Sequence, residues 1–400
     1  MLAHPVGARR DHKNTRLANR ATRKVYQRMI DRGWRRSGLF CYKPDLKRSC
    51  CPQYTIKLDA TEFKASKSQR KLVNRWTRFV LCGDSAAGSS GSGAAGNAPT
   101  TSSKRKGSSS SKEPQFVLED ANHASESTSG DVNVDSAHVF EVTLEPSSYS
   151  DEKFALFRSY EANIHKKPNK KSGSFKRFLV ESPLQMEPIP YPSAPPAHLP
   201  SYYGSYHQLY RLDGRLVAMG VIDILPSCIS SVYFMWEKEY EKFSLGKLSA
   251  LREISLAKEF YDAGVPQLKH VYMGYYIYSC QKMKYKGEFS PSYLADPEDF
   301  SWHPLSACEN VLERFRYACF THPEHSLEGP PPSVGIEPPP EIPKPTLSEL
   351  RYILAFQEGL PISEPVTESE YWMNRMSREG VLYAVTYLGV ELSKEMLFVP

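Results

Sequence analysis

The spacing of apolar positions changes several times along this chain, and each change marks an element. In VYQRMIDRGWRRSG, Val25, Met29, Ile30 and Trp34 recur at helical spacing, and Gly33 is placed to close the helix. SGLFCYKPDL and CPQYTIKLDA predict strands around the adjacent Cys50-Cys51 pair, and SKSQRKLVNRWTRFV predicts a second, basic helix. VFEVTLEP alternates as a strand does. Ser148 or Ser150 can then cap a helix over SDEKFALFRSYEANIHKK, whose apolar face carries Phe154, Phe157, Tyr160 and Ile164. YHQLYRL and RLVAMGVIDIL read as strands joined by Asp213-Gly214, a pair suited to a type I′ hairpin. ISSVYFMW is largely apolar and predicts a strand buried on both faces. LGKLSALREISLAKEFYDAG predicts a helix with Leu248, Leu251, Ile254 and Tyr261 inward and Gly264 as its stop. HVYMGYYIYS predicts a fourth strand, so that strand, helix and strand make a βαβ-like unit. VLERFRYACFTHP predicts one more helix, and the last fifty residues one or two.

The pattern fails in places, and composition says why. Gly83 to Lys112 is almost entirely Ser, Gly, Ala, Thr and Asn, which cannot bury a core and predicts a flexible linker. Its Lys104-Arg105-Lys106 triplet reads as solubilising, or as a weak nuclear-import signal. Pro183 to Pro200 predicts an extended surface connector, and GPPPSVGIEPPPEIPKP a second linker. Of the 400 residues 40% are hydrophobic, enough for two or three domains once the linkers are set aside. A net charge of +6 is too small by itself to argue for nucleic acid. The distribution says more: Met1 to Arg36 carries eleven Lys or Arg against two Asp, which suits either a solvated tail or a phosphate-contacting arm. No apolar stretch is long enough to span a bilayer and no signal-peptide core is present, so a soluble intracellular protein is expected. Eight scattered Cys predict reduced thiols, not a disulfide framework.

Several residues could carry chemistry. Ser244-Leu245-Gly246-Lys247, followed by Arg252 and Glu253, puts a glycine at a strand-to-helix turn, where backbone N–H groups and the helix dipole favour an anion or a developing oxyanion. The alternative is an ordinary helix cap. Asp223, alone in an apolar strand, either points to water at the strand end or pairs a guanidinium or takes a proton. His207 and Gln208 could contact an ester, or be structural. Among Tyr233, Tyr272, Tyr275, Tyr276 and Tyr278, most are packing residues and one or two could stack on an unpaired base. Lys282, Lys284 and Lys286 form a basic run that suits a nucleic-acid backbone or a solvated loop. Cys50 and Cys51 alone do not complete a metal site, which needs about four ligands. No serine triad is visible.

The segments GVIDILP, SSVYFMW, SLGKLSALRE and YMGYYIYSCQKMKYKGEFSPSYL resemble, in order and wording, the catalytic part of arginyl-tRNA–protein transferases. The resemblance covers about half of the chain. It implies an α+β fold with a GNAT-like acyltransferase core, a small cysteine-containing N-terminal α/β domain and long disordered linkers. The implied division is a basic tail (1–23), the N-terminal domain (24–82), a linker (83–138), the catalytic domain (139–310) with its Pro-rich insert (183–200), and a C-terminal extension (311–400). It implies transfer of arginine from arginyl-tRNA to the α-amine of proteins beginning with Asp, Glu or oxidised Cys, which marks them for ubiquitin-dependent degradation. The partners are then arginyl-tRNA and acidic N-termini, with neither membrane nor DNA, in the cytoplasm with the nucleus as a second location. Asp223 and Glu253 become the carboxylate candidates; Gly246 with Ser230 or Ser231 the oxyanion donors; Lys247 and Arg252 the cations for the acceptor. His207, Gln208, Tyr233, Tyr275, Lys282 and Lys284 become candidates for contacts to the aminoacyl-tRNA. On this reading Asp223→Ala removes activity and leaves the fold intact. The chemistry requires no cofactor. In the family a Cys-x-x-Cys precedes the Cys-Cys and together they resemble an iron–sulfur or zinc site. Here no cysteine precedes Cys41, so either that segment lies outside this chain or this form lacks it. The alternatives are a catalytically weak tRNA- or protein-binding relative, and an N-acetyltransferase of the same fold. The single glycine at the turn argues against coenzyme A.

Overall fold

The computed structural model describes residues 13–16, 23–84, 116–126, 136–331, 341–357 and 360–398. Most of the basic tail, the Gly/Ser-rich stretch and its Lys104-Arg105-Lys106 triplet lie outside the described residues. A small antiparallel sheet comes first, formed by β1 (Lys13–Arg16), β2 (Arg35–Ser37) and β3 (Phe40–Lys43) in the order β1-β3-β2. The helix Arg23–Asp31 precedes β2 and ends as expected: Gly33, at φ 83°, donates to the Ile30 carbonyl, and Trp34 to that of Met29.

The next strand, β4 (Tyr54–Asp59), belongs to a larger sheet. Its other members are β5 (Phe140–Pro146), β6 (Glu187–Pro188), β7 (Tyr202–Leu212), β8 (Arg215–Ile224), β9 (Cys228–Trp236), β10 (His270–Tyr276), β11 (Ser292–Ala295) and β12 (Trp302–Pro304). The spatial order is β12-β11-β4-β10-β9-β8-β7-β5, with β6 beside β7. β9 and β10 are parallel and flank the helix Leu245–Asp262, which is the βαβ-like unit read from the sequence. Asp213 and Gly214 both have positive φ at the β7–β8 turn. A last sheet joins β13 (Arg351–Gln357), β14 (Leu360–Pro365) and β15 (Leu397–Phe398) in the order β14-β13-β15. The protein is thus α+β.

Helices cover both faces of the large sheet. Leu251, Ile254 and Phe260 of the 245–262 helix pack with Ile222, Ile224, Ile229 and Val271. Leu156, Phe157 and Tyr160 of the helix Asp151–Asn163, capped by Ser150, pack with Met219, Val221 and Met235 on the other face. β8 therefore serves two cores by alternation, as the strand period requires. The basic helix Lys67–Cys82, opened by a Ser66/Gln69 capping box, sets Trp76 and Phe79 against Phe140 and Tyr210.

Some expectations are corrected. Tyr261 is 40% exposed, and Phe260 faces the core instead. The predicted helix over VLERFRYACFTHP is the helix Leu305–Arg314, because Tyr317 turns into a bridge with Leu327. The Pro-rich connector buries Ile189 and Leu199 and pairs with β7. β9 is not buried on both faces; Ser231, Val232, Phe234 and Trp236 are half-buried. Because β4 lies between β10 and β11, the 83–138 segment does not separate an independent N-terminal domain from the sheet. In the C-terminal extension, Tyr352, Val381, Leu388 and Phe398 share a core with Val25, Met29, Ile30 and Trp34.

A buried ion pair fastens β2 to the sheet. The Arg36 guanidinium donates from Nε to Asp223 Oδ2 at 2.7 Å and from Nη2 to Asp223 Oδ1 at 2.6 Å. Ser205, across the β7–β8 ladder, donates to the same Oδ1. Neither charge reaches solvent, with side-chain exposures of 1% and 0%. Asp223 neither points to water nor lies open to a ligand, so it has a fold-holding position that the sequence reading did not give it. Asp223→Ala then strands a buried guanidinium and lowers the unfolding free energy by about 3–5 kcal/mol, while the double change Arg36→Met/Asp223→Leu recovers most of that. Urea midpoints of the two variants test this, and an Asp223→Ala protein as stable as the parent would refute it.

Candidate active site

The cleft exists because two parallel strands part. β9 and β10 are in register for three pairs, the last being Tyr272 with Ser230. Beyond it β10 bulges through Gly274, at φ 70°, and continues along β4, while β9 runs on along β8 with a bulge of its own. The gap holds a cleft of about 480 Å³. Ser231, Tyr233 and Trp236 line one side; Met273, Gly274 and Tyr275 line the other; the first turns of the 245–262 helix close the end. β2 contributes Arg35 and Arg36, and the loop after β10 contributes Lys282, Tyr285 and Lys286.

The helix enters through Ser244, a non-glycine residue in left-handed conformation at φ 54°. Its first amides, those of Leu245 and Gly246, precede the first intrahelical bonds, which reach the Ser244 carbonyl from Lys247 and Leu248. Gly246, Ser249, Ala250 and Glu253 share a helical face by three- and four-residue spacing, and all four line the cleft. A side chain at Gly246 would meet nothing within 4 Å, so the missing Cβ leaves room for a ligand rather than for a protein neighbour.

Glu253 is 2% exposed. Its Oε1 accepts from Ser231 Oγ at 3.3 Å and Ser249 Oγ at 3.2 Å, and its Oε2 is buried with no hydrogen-bond partner. Burial raises its pKa to about 7, against the smaller lowering effect of the two hydroxyls. Two more buried polar atoms of cleft residues are equally without partners, Arg35 Nε and Trp236 Nε1.

Two buried cations of the cleft, Arg35 and Lys286, rest on backbone carbonyls. Arg35 spends its guanidinium on the carbonyls of Ile30, Trp34 and Gly274 and lies 5.0 Å from the Tyr275 ring centre. Lys286, 7% exposed, donates to the Tyr275 carbonyl at 2.7 Å. Burial, with Arg35 nearby, lowers its pKa to about 7. Lys247 pairs with Glu288 at 2.5 Å on the rim. Glu241 and Glu253 are the carboxylates in the lining, and of the cations there Arg36 is held by Asp223 and Lys247 by Glu288.

Of the residues singled out in the sequence, the fold brings Glu253, Gly246, Ser231, Lys247, Tyr233, Tyr275 and Lys282 to this cleft. Others lie elsewhere. Asp223 is taken by Arg36, and Ser230, 1% exposed, sits beside it in the ladder. Arg252 falls about 100° round the helix from Glu253 and pairs with Glu126. His207 is fully buried, its Nε2 2.9 Å from the Leu179 carbonyl, and burial lowers its pKa to about 4. Gln208 accepts from the Tyr210 hydroxyl inside the core. Lys284 sits 3.7 Å over the Tyr278 ring. Arg35, Tyr160, Trp236 and Ser249 were not anticipated. Lys286 was named in the basic run but not among the residues expected to contact the aminoacyl-tRNA, and it also lines the cleft.

Cys50 and Cys51 are exposed, with sulfurs 3.7 Å apart. Among the described residues neither joins a group of three ligand atoms within 4.8 Å of one another. Two thiols alone do not fit an iron–sulfur cluster or a closed zinc site, which needs about four ligands.

Both halves of this cleft match known sequences. Residues 152–296 match the family profile "Arginine-tRNA-protein transferase, C terminus", and residues 6–71 its N-terminus counterpart. Arginyl-tRNA–protein transferase 1 of Drosophila melanogaster is 34% identical over 372 residues, covering 70% of this chain and 75% of that one. The chain belongs to the arginyl-tRNA–protein transferase family. It is an aminoacyltransferase family, and the similarity extends to Arginyl-tRNA–protein transferase 1 of Dictyostelium discoideum, 25% identical over 96% of this chain and 93% of that one. An aspartate/glutamate leucyltransferase of Campylobacter jejuni is 36% identical over 87 residues, covering 22% of this chain and 34% of its own. The cleft takes Arg35, Arg36 and Tyr42 from the first matched region and its remaining lining from the second. No helix among the described residues is long and apolar enough to cross a membrane.

A buried carboxyl with a raised pKa leaves a signature in stability. Unfolded, Glu253 loses its proton near 4.5; folded, it keeps it to about 7. Between these values the native state binds more protons, so stability falls as pH rises and the loss is complete above about pH 7. Glu253→Gln removes that loss. It should stabilise the protein by about 1–3 kcal/mol above pH 7 and not below pH 4. Melting temperatures at the two pH extremes measure the difference, and no difference between them would contradict the assignment.

Proposed function

We propose that this protein transfers arginine from arginyl-tRNA to the α-amine of acceptor proteins that begin with Asp, Glu or oxidised Cys, on a GNAT-like core, and so marks them for ubiquitin-dependent degradation. The family supports the donor. The observation that carries the reaction is Glu253: a buried carboxylate with one unpartnered oxygen, beside a helix N-terminus, in a cleft that the buried Arg35 and Lys286 also line. In the reaction the acceptor nitrogen attacks the ester carbonyl carbon. The bond from that carbon to the tRNA ribose oxygen breaks and an amide forms. The amine proton passes to Glu253 Oε2 and then to the departing ribose oxygen, so the carboxylate is regenerated. The first-turn amides at Leu245 and Gly246 are suited to the oxyanion of the tetrahedral intermediate, while the Ser231 hydroxyl steadies Glu253. Arg35 and Lys286 replace Lys247 and Arg252 as the cations for an acidic acceptor side chain, because they are buried and lack carboxylate partners. Glu241 on the rim is the free carboxylate for the arginyl guanidinium. Eight free thiols suit a reducing compartment such as the cytoplasm.

Labelled arginine should pass from arginyl-tRNA to a peptide beginning with Asp and not to one beginning with Ala. Glu253→Gln should lower the transfer rate about 10²–10⁴-fold with the fold intact. The parent's rate should rise with pH through about 7 as Glu253 ionises, and this limb should be missing in the variant. Retention of the limb would remove Glu253 from the proton transfer. No transfer by the parent at all would favour a binding-only relative. Lys286→Met should raise KM for the Asp peptide at least about tenfold and leave KM for arginyl-tRNA unchanged, in line with the loss of one charge-assisted contact. Equal effects on both substrates would move Lys286 to the tRNA side.

A further inference from the structure

On the side of the 245–262 helix away from the cleft, three segments remote in sequence meet. We propose that His123, His198 and Glu259 there form a zinc-binding site that clasps residues 116–126 and the Pro-rich connector to the helix. The three ligand atoms lie within 4.8 Å of one another. His123 Nε2 is 3.2 Å from Glu259 Oε1, and His198 Nε2 is 2.8 Å from Glu259 Oε2. The two rings are inclined at 64° with centroids 5.5 Å apart, so their Nε2 atoms converge on one carboxylate without stacking.

The surroundings are those of a metal ligand set. His123 places its other nitrogen, Nδ1, 2.9 Å from Glu126 Oε2. Glu126 is in turn held by Arg252. A carboxylate on the remote nitrogen fixes the tautomer and orientation of a metal-bound histidine, and that carboxylate is here already fixed by its own partner. Ser255 Oγ donates to Glu259 Oε1 at 2.7 Å and steadies the third ligand. Zinc–ligand bonds of about 2.0–2.1 Å at tetrahedral angles place donor atoms roughly 3.3 Å apart, so small side-chain movements would admit the ion. On binding, Zn²⁺ takes the position on each Nε2 and each imidazole binds neutral, with its one proton on Nδ1, which for His123 faces Glu126. Side-chain exposures of 37%, 46% and 13% for His123, His198 and Glu259 leave a path for the ion and a fourth position for water. Two imidazoles and a carboxylate with an open fourth position are a ligand set that Zn²⁺ takes.

The structural consequence is specific. Without metal, the described 116–126 segment is held by apolar contacts, the Arg252–Glu126 and Lys258–Glu119 pairs, the Asn122 amide on the Leu251 carbonyl and the histidine contacts themselves. A bound ion would add a bridge from this segment, through Glu259, to the helix that carries Glu253, and from there to the connector beside β7. The site is independent of the cysteine pair and of the transfer chemistry.

The test uses the full chain with Cys50→Ser and Cys51→Ser, so that no exposed adjacent thiols contribute to binding. After chelator treatment, Zn²⁺ titrated calorimetrically should bind at one equivalent. His198→Ala and His123→Ala should each weaken binding at least about 10–100-fold, and Glu126→Gln about tenfold. Zn²⁺ should raise the melting temperature of the parent and protect the amides of residues 118–126 from hydrogen exchange, with neither effect in His198→Ala. His198 is half-exposed, and its metal-free melting temperature checks that the variant folds. Absence of zinc binding, or binding that survives both histidine changes, would overturn the proposal and leave the cluster a set of hydrogen-bonded ion pairs.

Discussion

The buried Arg36–Asp223 pair is the contact on which the arrangement of this protein depends. Two charges withdrawn from water are tolerable only with near-ideal geometry, and here both oxygens of one carboxylate meet a guanidinium fork while a serine adds a third donor. The pair draws β2 against the edge of β7 and β8, although these strands are almost two hundred residues apart in sequence. With β2 fixed, alternation along the strand sends the neighbouring Arg35 toward β10, where it meets the Gly274 carbonyl. One arginine is consumed in holding the fold, and the adjacent one is thereby delivered to the cleft.

The cleft is a second consequence of backbone geometry. Once β9 and β10 stop pairing, each must satisfy its backbone elsewhere, and they do so with β8 and β4. The space between them receives the first turn of the following helix. Burial there raises the proton affinity of a carboxyl and lowers that of a lysine, so Glu253 and Lys286 both titrate near neutrality for one reason, the loss of water. A site of this kind keeps polar atoms unpaired at the expense of stability, and Glu253 Oε2, Arg35 Nε and Trp236 Nε1 are such atoms.

The parts of the chain are more closely joined than its linkers suggest. β4 sits inside the large sheet, and the C-terminal residues Tyr352, Val381 and Leu388 complete a core begun by the helix Arg23–Asp31. The C-terminal region therefore covers the apolar face of the segment that supplies both arginines. The 116–126 segment, away from the cleft, has its own attachment to the back of the Leu245–Asp262 helix through Glu126 and His123.

Sequence alone determined the elements whose signals are local. The hairpin at Asp213-Gly214, the Gly33 and Gly264 stops, a serine cap at Ser148 or Ser150 and the alternation of β8 follow from φ preferences, capping hydrogen bonds and side-chain period, which act over a few residues. It also determined the family, through four motifs of the catalytic part, and it named Glu253, Gly246, Ser231 and Tyr233. It misplaced Asp223, Arg252, His207 and Gln208, and it passed over Arg35. A carboxylate in an apolar strand looks the same in sequence whether its guanidinium partner is a substrate or a residue 187 positions away. Arg252 and Glu253 are neighbours in the chain, but a helix turns them to different environments, one toward Glu126 and one toward the cleft. Only tertiary structure decided which charges were paired, because desolvation and ion pairing depend on what the fold brings within a few ångströms and not on sequence distance.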